Sequence, residues 1–256
     1  QDQLLKGLAE RVDSYDAVII NEQTSHSYHN SYFQEKLKNL IARERQNTLW
    51  FADCRRLNRV YNGTIRKLNN LEAREIYREN HESQVVIPPD RETVSWLFSH
   101  WKTPVIVTRG EEGALAIDER GEESDIPGIN LIGQIDPVGA GDAFLSGLCL
   151  AMTAGSRLAE SVEFANITAS VSVQKIHETG HPSVTEVLER GKNPDYRYRP
   201  SLAADPEKAR FAAGGEIELI SENEIPFPKI AVFDHDGTIS TLRRGWEPVM
   251  EEVMIE

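Results

Sequence analysis

Residues 135–152 read IDPVGAGDAFLSGLCLAM. Gly139, Ala140 and Gly141 carry little or no side chain, and after them Phe144, Leu145, Leu148, Cys149 and Met152 recur at helical spacing. The pattern predicts a helix that begins at the glycines and buries that face. Bare N–H groups at such a start, with the positive end of the helix dipole behind them, make an anion site. Asp142 is then a carboxylate placed to take a proton from a hydroxyl while the adjacent amides hold the charge of a transferring phosphoryl group. An isolated G-x-G-D more often means a plain turn with the aspartate capping its helix. Neither commoner glycine loop is present: G-x-x-x-x-G-K-[ST] is absent, and Phe144 stands where the third glycine of G-x-G-x-x-G would be.

Upstream, the periodicity predicts a strand over residues 15–20, a helix over 31–45 and a second strand over 48–52. Helices follow over 71–78 and 92–101, then a strand over 105–108 and a hairpin-like segment with Gly110, Gly113 and the apolar run 114–117. A polar turn at 121–125 leads to an expected strand over 130–135. Beyond the central helix, Leu158, Val162, Ala165, Ala169 and Val173 form a matching stripe on a second helix ending near Lys175. The alternation implies βαβ units, so the expected fold is α/β, a mostly parallel doubly wound sheet with helices on both faces. From 191 to 228 the period decays among Pro194, Pro200, Pro206, Pro226 and Pro228, which reads as a linker. An apolar strand over 229–233 then runs into DHDGT.

At 256 residues and 39% hydrophobic content, the chain is long enough for one large α/β domain or two small ones. Its formal net charge of −13 argues against a nucleic-acid or anionic-membrane partner, which would need a concentrated basic face. Cys54 and Cys149 sit beside apolar residues and read as reduced core thiols of a cytoplasmic protein. No apolar run approaches the roughly 18 residues of a membrane span, and no signal peptide opens the chain. The first residues run straight into a helix and a strand without a start methionine, and look like the middle of a domain.

DPVGAGDAF, residues 136–144, resembles the D-x-x-G-A-G-D-x-F signature of ribokinase-like (PfkB) carbohydrate kinases. Three other elements stand in that family's order. KLNNLEA, residues 67–73, resembles its N-x-x-E element, which implies that Asn69 and Glu72 organise magnesium and the nucleotide phosphates. VTRGEEGAL, residues 107–115, resembles V-T-x-G-x-x-G-A and implies nucleotide contacts from Thr108, Gly110 and Gly113. FANITASVSVQK, residues 164–175, is similar to the late helix whose asparagine, here Asn166, faces the nucleotide. Asp136 stands where relatives help bind a monovalent cation such as K+, although Pro137 and Val138 replace the threonines often found there.

The resemblance implies ATP- and Mg2+-dependent phosphorylation of a hydroxyl on a sugar or sugar phosphate, with Asp142 as base and Gly139 to Gly141 as the anion hole. It is compatible with a homodimer. The family's N-terminal third, with the glycine pair and asparagine that grip the sugar and the small β lid, has no counterpart before Gln1. The kinase domain expected over 1–190 is therefore partial, and a catalytically silent nucleotide-binding or regulatory module is the alternative.

With its preceding strand, DHDGT resembles motif one of haloacid-dehalogenase-type phosphatases, although D-G-T alone would be a surface Asx-type turn. The resemblance implies that Asp234 attacks a phosphate as nucleophile with Mg2+ screening the repulsion, and that Asp236 protonates the leaving oxygen. Residues 229–256 would then be the stub of a second Rossmann-like domain in a bifunctional parent. HETGH, residues 177–181, fits the H-E-x-x-H zinc pattern, but Gly180 and Pro182 break the helix that pattern needs, which leaves a loop. His26 and His29 could pair on a metal but lack cysteine or carboxylate neighbours, and Trp96 and Trp101 read as packing residues.

Overall fold

A computed structural model of the chain describes residues 1–23, 28–44, 47–81, 86–131, 133–176, 181–192, 194–196, 210–212 and 217–219. It divides into two units, Gln1–Arg199 and Pro200–Glu256. The first unit holds six strands: β1 (Ala17–Glu22), β2 (Leu49–Cys54), β3 (Ile65–Asn69), β4 (Val105–Thr108), β5 (Ala114–Ile117) and β6 (Glu123–Ile126). They lie side by side in chain order. β1 to β4 are mutually parallel, and β5 and β6 are added as antiparallel hairpins. The helices are α1 (Asp2–Ala9), α2 (Ser31–Glu44), α3 (Asn70–Glu79), α4 (Asp90–Trp101), α5 (Ala140–Thr153), α6 (Leu158–Ser172) and α7 (Val184–Lys192).

The period-2 alternation of the strands sorts the core into layers. Trp50 and Ala52 of β2 pack with Phe33, Leu37, Leu40 and Ile41 of α2, whereas Phe51 between them points to the opposite face. Likewise Val105, Val107, Leu115 and Ile117 meet Ala73, Ile76, Val94 and Leu97 of α3 and α4. Ile106, Ala114 and Ala116 turn the other way, against Phe144, Leu145, Leu148, Val162 and Ala165 of α5 and α6. Helices thus cover both faces, as the alternation predicts. The helical stripe read after the glycines is the buried face of α5, and the next stripe is that of α6.

Several expectations change. β3 was not anticipated, because its sequence IRKLN places two cations in a strand where both are buried. The link between β2 and β3, residues 55–64, makes a parallel crossover without a helix. Arg66 holds that link: Nε donates to Asn58 O at 2.6 Å and Nη2 to Tyr61 O at 2.9 Å. Its Nη1 reaches Thr103 Oγ1 at 2.6 Å, and the guanidinium lies 4.5 Å from the Trp101 ring centre. Burial lowers the Arg66 pKa to about 10, and the carbonyls around it take the place of a carboxylate partner.

Among the described residues of 130–135, the expected strand does not occur. Ile135 is 52% exposed, and the chain instead climbs to α5 with Asp136 N–H bonded to Val173 O at 2.7 Å. The sixth strand is the polar ESDI segment that reads as a turn, an edge position where few side chains need burial. α7 follows the HETGH segment, over residues whose pattern predicts no element. The second unit contributes a short antiparallel pair, β7 (Arg210–Ala212) and β8 (Ile217–Leu219), inside the expected linker. Residues 229–256, with Asp234 and Asp236, lie outside the described residues, and no second Rossmann-like sheet occurs among the described ones. Among these, no helix is long and apolar enough to cross a membrane.

Replacing Arg66 with methionine strands the carbonyls of Asn58 and Tyr61 without a donor. The expected loss is about 2–4 kcal/mol, read as a lower urea midpoint at unchanged m-value.

Candidate active site

The carboxyl ends of β1 to β4 bring a row of polar side chains under the start of α5. Asn21 and Asp53 are register partners across β1 and β2, as are Asn69 and Thr108 across β3 and β4. Lys67 Nζ donates to Asp53 Oδ2 at 2.8 Å, and both residues are buried. A Cβ at residue 141 would lie 3.0 Å from that ammonium, so Gly141 allows the cation to sit directly beneath the helix start. Gly139 serves a different need: it is the N-cap of α5 with φ of 80°, a backbone that side chains disfavour. Neither Lys67 nor Asp53 stands out in the sequence, because Lys67 follows Arg66 in IRKLN and looks solvent-facing.

Of the amides at the turn, that of Ala140 donates to Pro137 O at 3.1 Å, and the first helical bond runs from Ala143 N to Gly139 O. Helix geometry leaves the N–H groups of Gly141 and Asp142 as first-turn donors directed out of the helix end. The exposed Asp142 carboxylate lies beside them, with Asn21 Nδ2 at 3.4 Å from its Oδ1. Asp136, in contrast, turns a carboxylate oxygen to its own loop, accepting from Val138 N–H at 3.0 Å.

The N-x-x-E element is a complete capping box on α3: Asn69 Oδ1 accepts from Glu72 N–H at 2.8 Å, and Asn69 N–H donates to Glu72 Oε2 at 2.9 Å. Burial is the main cause that lifts the Glu72 carboxyl above its ordinary range; the Asn69 amide opposes the shift and the nearby Asp53 adds to it.

Thr108 Oγ1 donates to Leu68 O at 3.3 Å, tying the ends of β3 and β4. Arg109 then pairs with Asp125 of β6 at 2.6 Å, which fixes the turn containing Gly110 and Gly113. Gly113, with φ of 83°, touches the backbone after β6: a Cβ there would fall 2.2 Å from Ile126 O. Asn166 Nδ2 donates to Pro127 O at 3.2 Å from the other side. Gly113 and Asn166 therefore meet at one junction, Pro127–Gly128, an element the sequence reading left out.

His29 stacks edge-on against Phe33 and hydrogen-bonds Tyr61, while His26 and residues 177–180 lie outside the described set. No group of three or more metal-binding side chains occurs among the described residues. Trp96 packs in a ring cluster with Tyr77, His81 and His100, and Trp101 lies on Arg66, so both act as packing residues.

A mostly parallel sheet that ends in two hairpins, with a glycine turn and aspartate opening a helix at its carboxyl edge, defines a ribokinase-like kinase fold. Residues 15–184 match the pfkB family of carbohydrate kinases, and the chain belongs to that family. It is similar in fold to the ribokinase of Thermotoga maritima, with a TM-score of 0.58 and 17% identity, over 72% of this chain and 59% of that one. The ribokinase of Giardia lamblia gives 0.57 and 22%, over 75% and 64%. Escherichia coli phosphofructokinase-2, solved with potassium, gives 0.56 and 21%, over 72% and 60%. An inositol 3-kinase of Arabidopsis thaliana is 36% identical over 72 residues, which is 28% of this chain and 20% of the relative. The chain thus spans a fifth of that curated relative. The matched family region stops short of residues 229–256.

A carboxyl whose pKa is raised by folding contributes stability below its unfolded value and loses it as pH rises through the folded value. Glu72→Gln keeps the cap and removes the buried charge. The variant is expected to unfold at higher urea than the parent at neutral pH, with the gain vanishing near about pH 3.

Proposed function

We propose that this chain carries the phosphoryl-transfer half of a carbohydrate kinase that moves the γ-phosphoryl of ATP to a hydroxyl of a sugar, polyol or sugar phosphate. The observation that carries this reading is the stacking of three features at one point: the Gly139–Gly141 turn, the Asp142 carboxylate, and the Lys67 ammonium beneath Gly141. The turn presents the first-turn amides of α5 above the Lys67 ammonium, and donors so placed suit a polyanion. Mg2+·ATP would supply the phosphoryl group and neutralise part of its charge.

Asp142 takes the acceptor hydroxyl's proton as the oxygen attacks, and the amides of Gly141 and Asp142 hold the charge on the transferring group. Lys67 adds a fixed positive charge at short range in a site of low dielectric. Thr108, Gly110, Gly113 and Asn166 would line the nucleotide, Glu72 would reach Mg2+ through water, and Asp136 would contribute to a K+ site. We place the enzyme in the cytoplasm, where a homodimer is compatible with its acidic surface. Hydrolysis of a phosphate ester by Asp234 and Asp236 is a separate proposal that rests on DHDGT alone. Phosphatase activity that survives Asp142→Asn and disappears in Asp234→Asn would support it.

The test is ATP-dependent phosphorylation of a panel of sugars, sugar phosphates and cyclic polyols, the last prompted by the name of the Arabidopsis relative. Asp142→Asn is expected to cut turnover by about 10²–10⁴-fold with nucleotide binding kept, and Lys67→Met to weaken nucleotide binding. If no acceptor is phosphorylated and nucleotide binds equally well to the parent and Asp142→Asn, the chain is a nucleotide-binding module.

A further inference from the structure

Strand β1 has two unlike faces. Ile20 and Glu22 point toward α2 and are buried, and Glu22 is further held by Arg56 at 2.7 Å. Ile19 and Asn21 point to the face where α5 and α6 pack on the rest of the sheet, and there β1 is left open: Ile19 is 40% exposed and Asn21 is exposed too. Asn21 therefore has no packing duty. Its carboxamide is nevertheless tied at both ends. Gln23 Nε2 donates to Asn21 Oδ1 at 2.7 Å, and Asn21 Nδ2 lies 3.4 Å from Asp142 Oδ1.

Two amides and a carboxylate in this order leave one consistent sense of donation. With its carbonyl occupied by the Gln23 donor, the Asn21 amide presents N–H, rather than C=O, to Asp142. A hydrogen bond to one carboxylate oxygen fixes the rotation of the group. Oδ1 is then the held oxygen and Oδ2 the one available to a hydroxyl. The other charged groups on this side are Lys67, beneath Gly141, and Asp53 behind it, already bound to each other; Glu22 faces the opposite side of the sheet.

We infer that Asn21 is a positioning residue for Asp142, oriented by Gln23, and that this amide relay sets the angle of the base. The inference rests on Asp142 being the base. In the transfer step the acceptor O–H bond breaks with its proton passing to Oδ2, the O–P bond forms, and the bond from phosphorus to the leaving oxygen of ADP breaks with its electron pair. Asn21 does not touch the reacting atoms; it holds the carboxylate that does.

The relay makes a prediction that a merely structural pair would not. Gln23→Met removes the donor to Asn21 without adding charge and leaves the amide free to turn its carbonyl toward the carboxylate. ATP-dependent transfer would be followed in the full chain and in Asn21→Ala and Gln23→Met. Both are expected to lower kcat about tenfold, with KM for ATP and thermal stability unchanged. Unchanged kcat in both variants overturns the relay even where Asp142→Asn abolishes turnover. Full turnover in Asp142→Asn overturns the base assignment itself, and with it the relay's purpose.

Discussion

The buried ion pair between Lys67 and Asp53 fixes what lies between the strand ends and the start of the helix above them. Removing both charges from water is costly, and an apolar pair of similar volume would stabilise a core at least as well. Its value lies in where it leaves the ammonium. Asp53 at the end of β2 holds Lys67 at 2.8 Å, and Lys67 from β3 fills the space under Gly141. The two glycines of the turn are thus glycine for unrelated reasons, one for its left-handed backbone and the other for the approach of a cation. The helix start and the strand ends form one electrostatic unit, in which the dipole of α5 and the Lys67 charge have the same sign.

A second junction is made of backbone rather than charge. Gly113 after the β4–β5 turn and Gly128 after β6 approach so closely that a Cβ on either would collide with the other's segment. Asn166 closes the junction from α6 by donating to Pro127 O. Two segments separated along the chain meet backbone to backbone, the Asn166 carboxamide braces them from a third, and the surrounding loop is held by Arg109 and Asp125. The capping box of Asn69 and Glu72 shows the same economy, because residues expected to face metal and phosphate also start α3.

How much of this could be read in the sequence depended on how each residue meets its surroundings. α5 and α6 were legible because their apolar stripes face a single layer, and β2, β4 and β5 because they are apolar runs bounded by polar turns. β3 escaped because Arg66 and Lys67 look like solvent-facing residues, and only tertiary partners, carbonyls for one and Asp53 for the other, make them interior. β6 escaped because an edge strand can be polar, and the apolar residues at 130–135 misled because Ile135 stays exposed. Asp142 and its glycines were found from local chemistry, whereas Lys67, Asp53 and Asn21 reach the site through pairing of distant strands, which no local pattern encodes.

The two groups of polar residues at the strand ends are built differently. Lys67, Asp53, Glu72 and Gly113 are bound into the core or into backbone contacts, so a change at any of them must also satisfy folding. Asp142, Asn21 and Gln23 are exposed. Substitutions there meet few packing constraints, because among the described residues no helix fills the face of β1 that carries Ile19 and Asn21. The charged cluster is thereby tied to stability, and the exposed amides and carboxylate are free of it. Under the proposed function, acceptor preference could change at the exposed residues while the buried ones stay as they are.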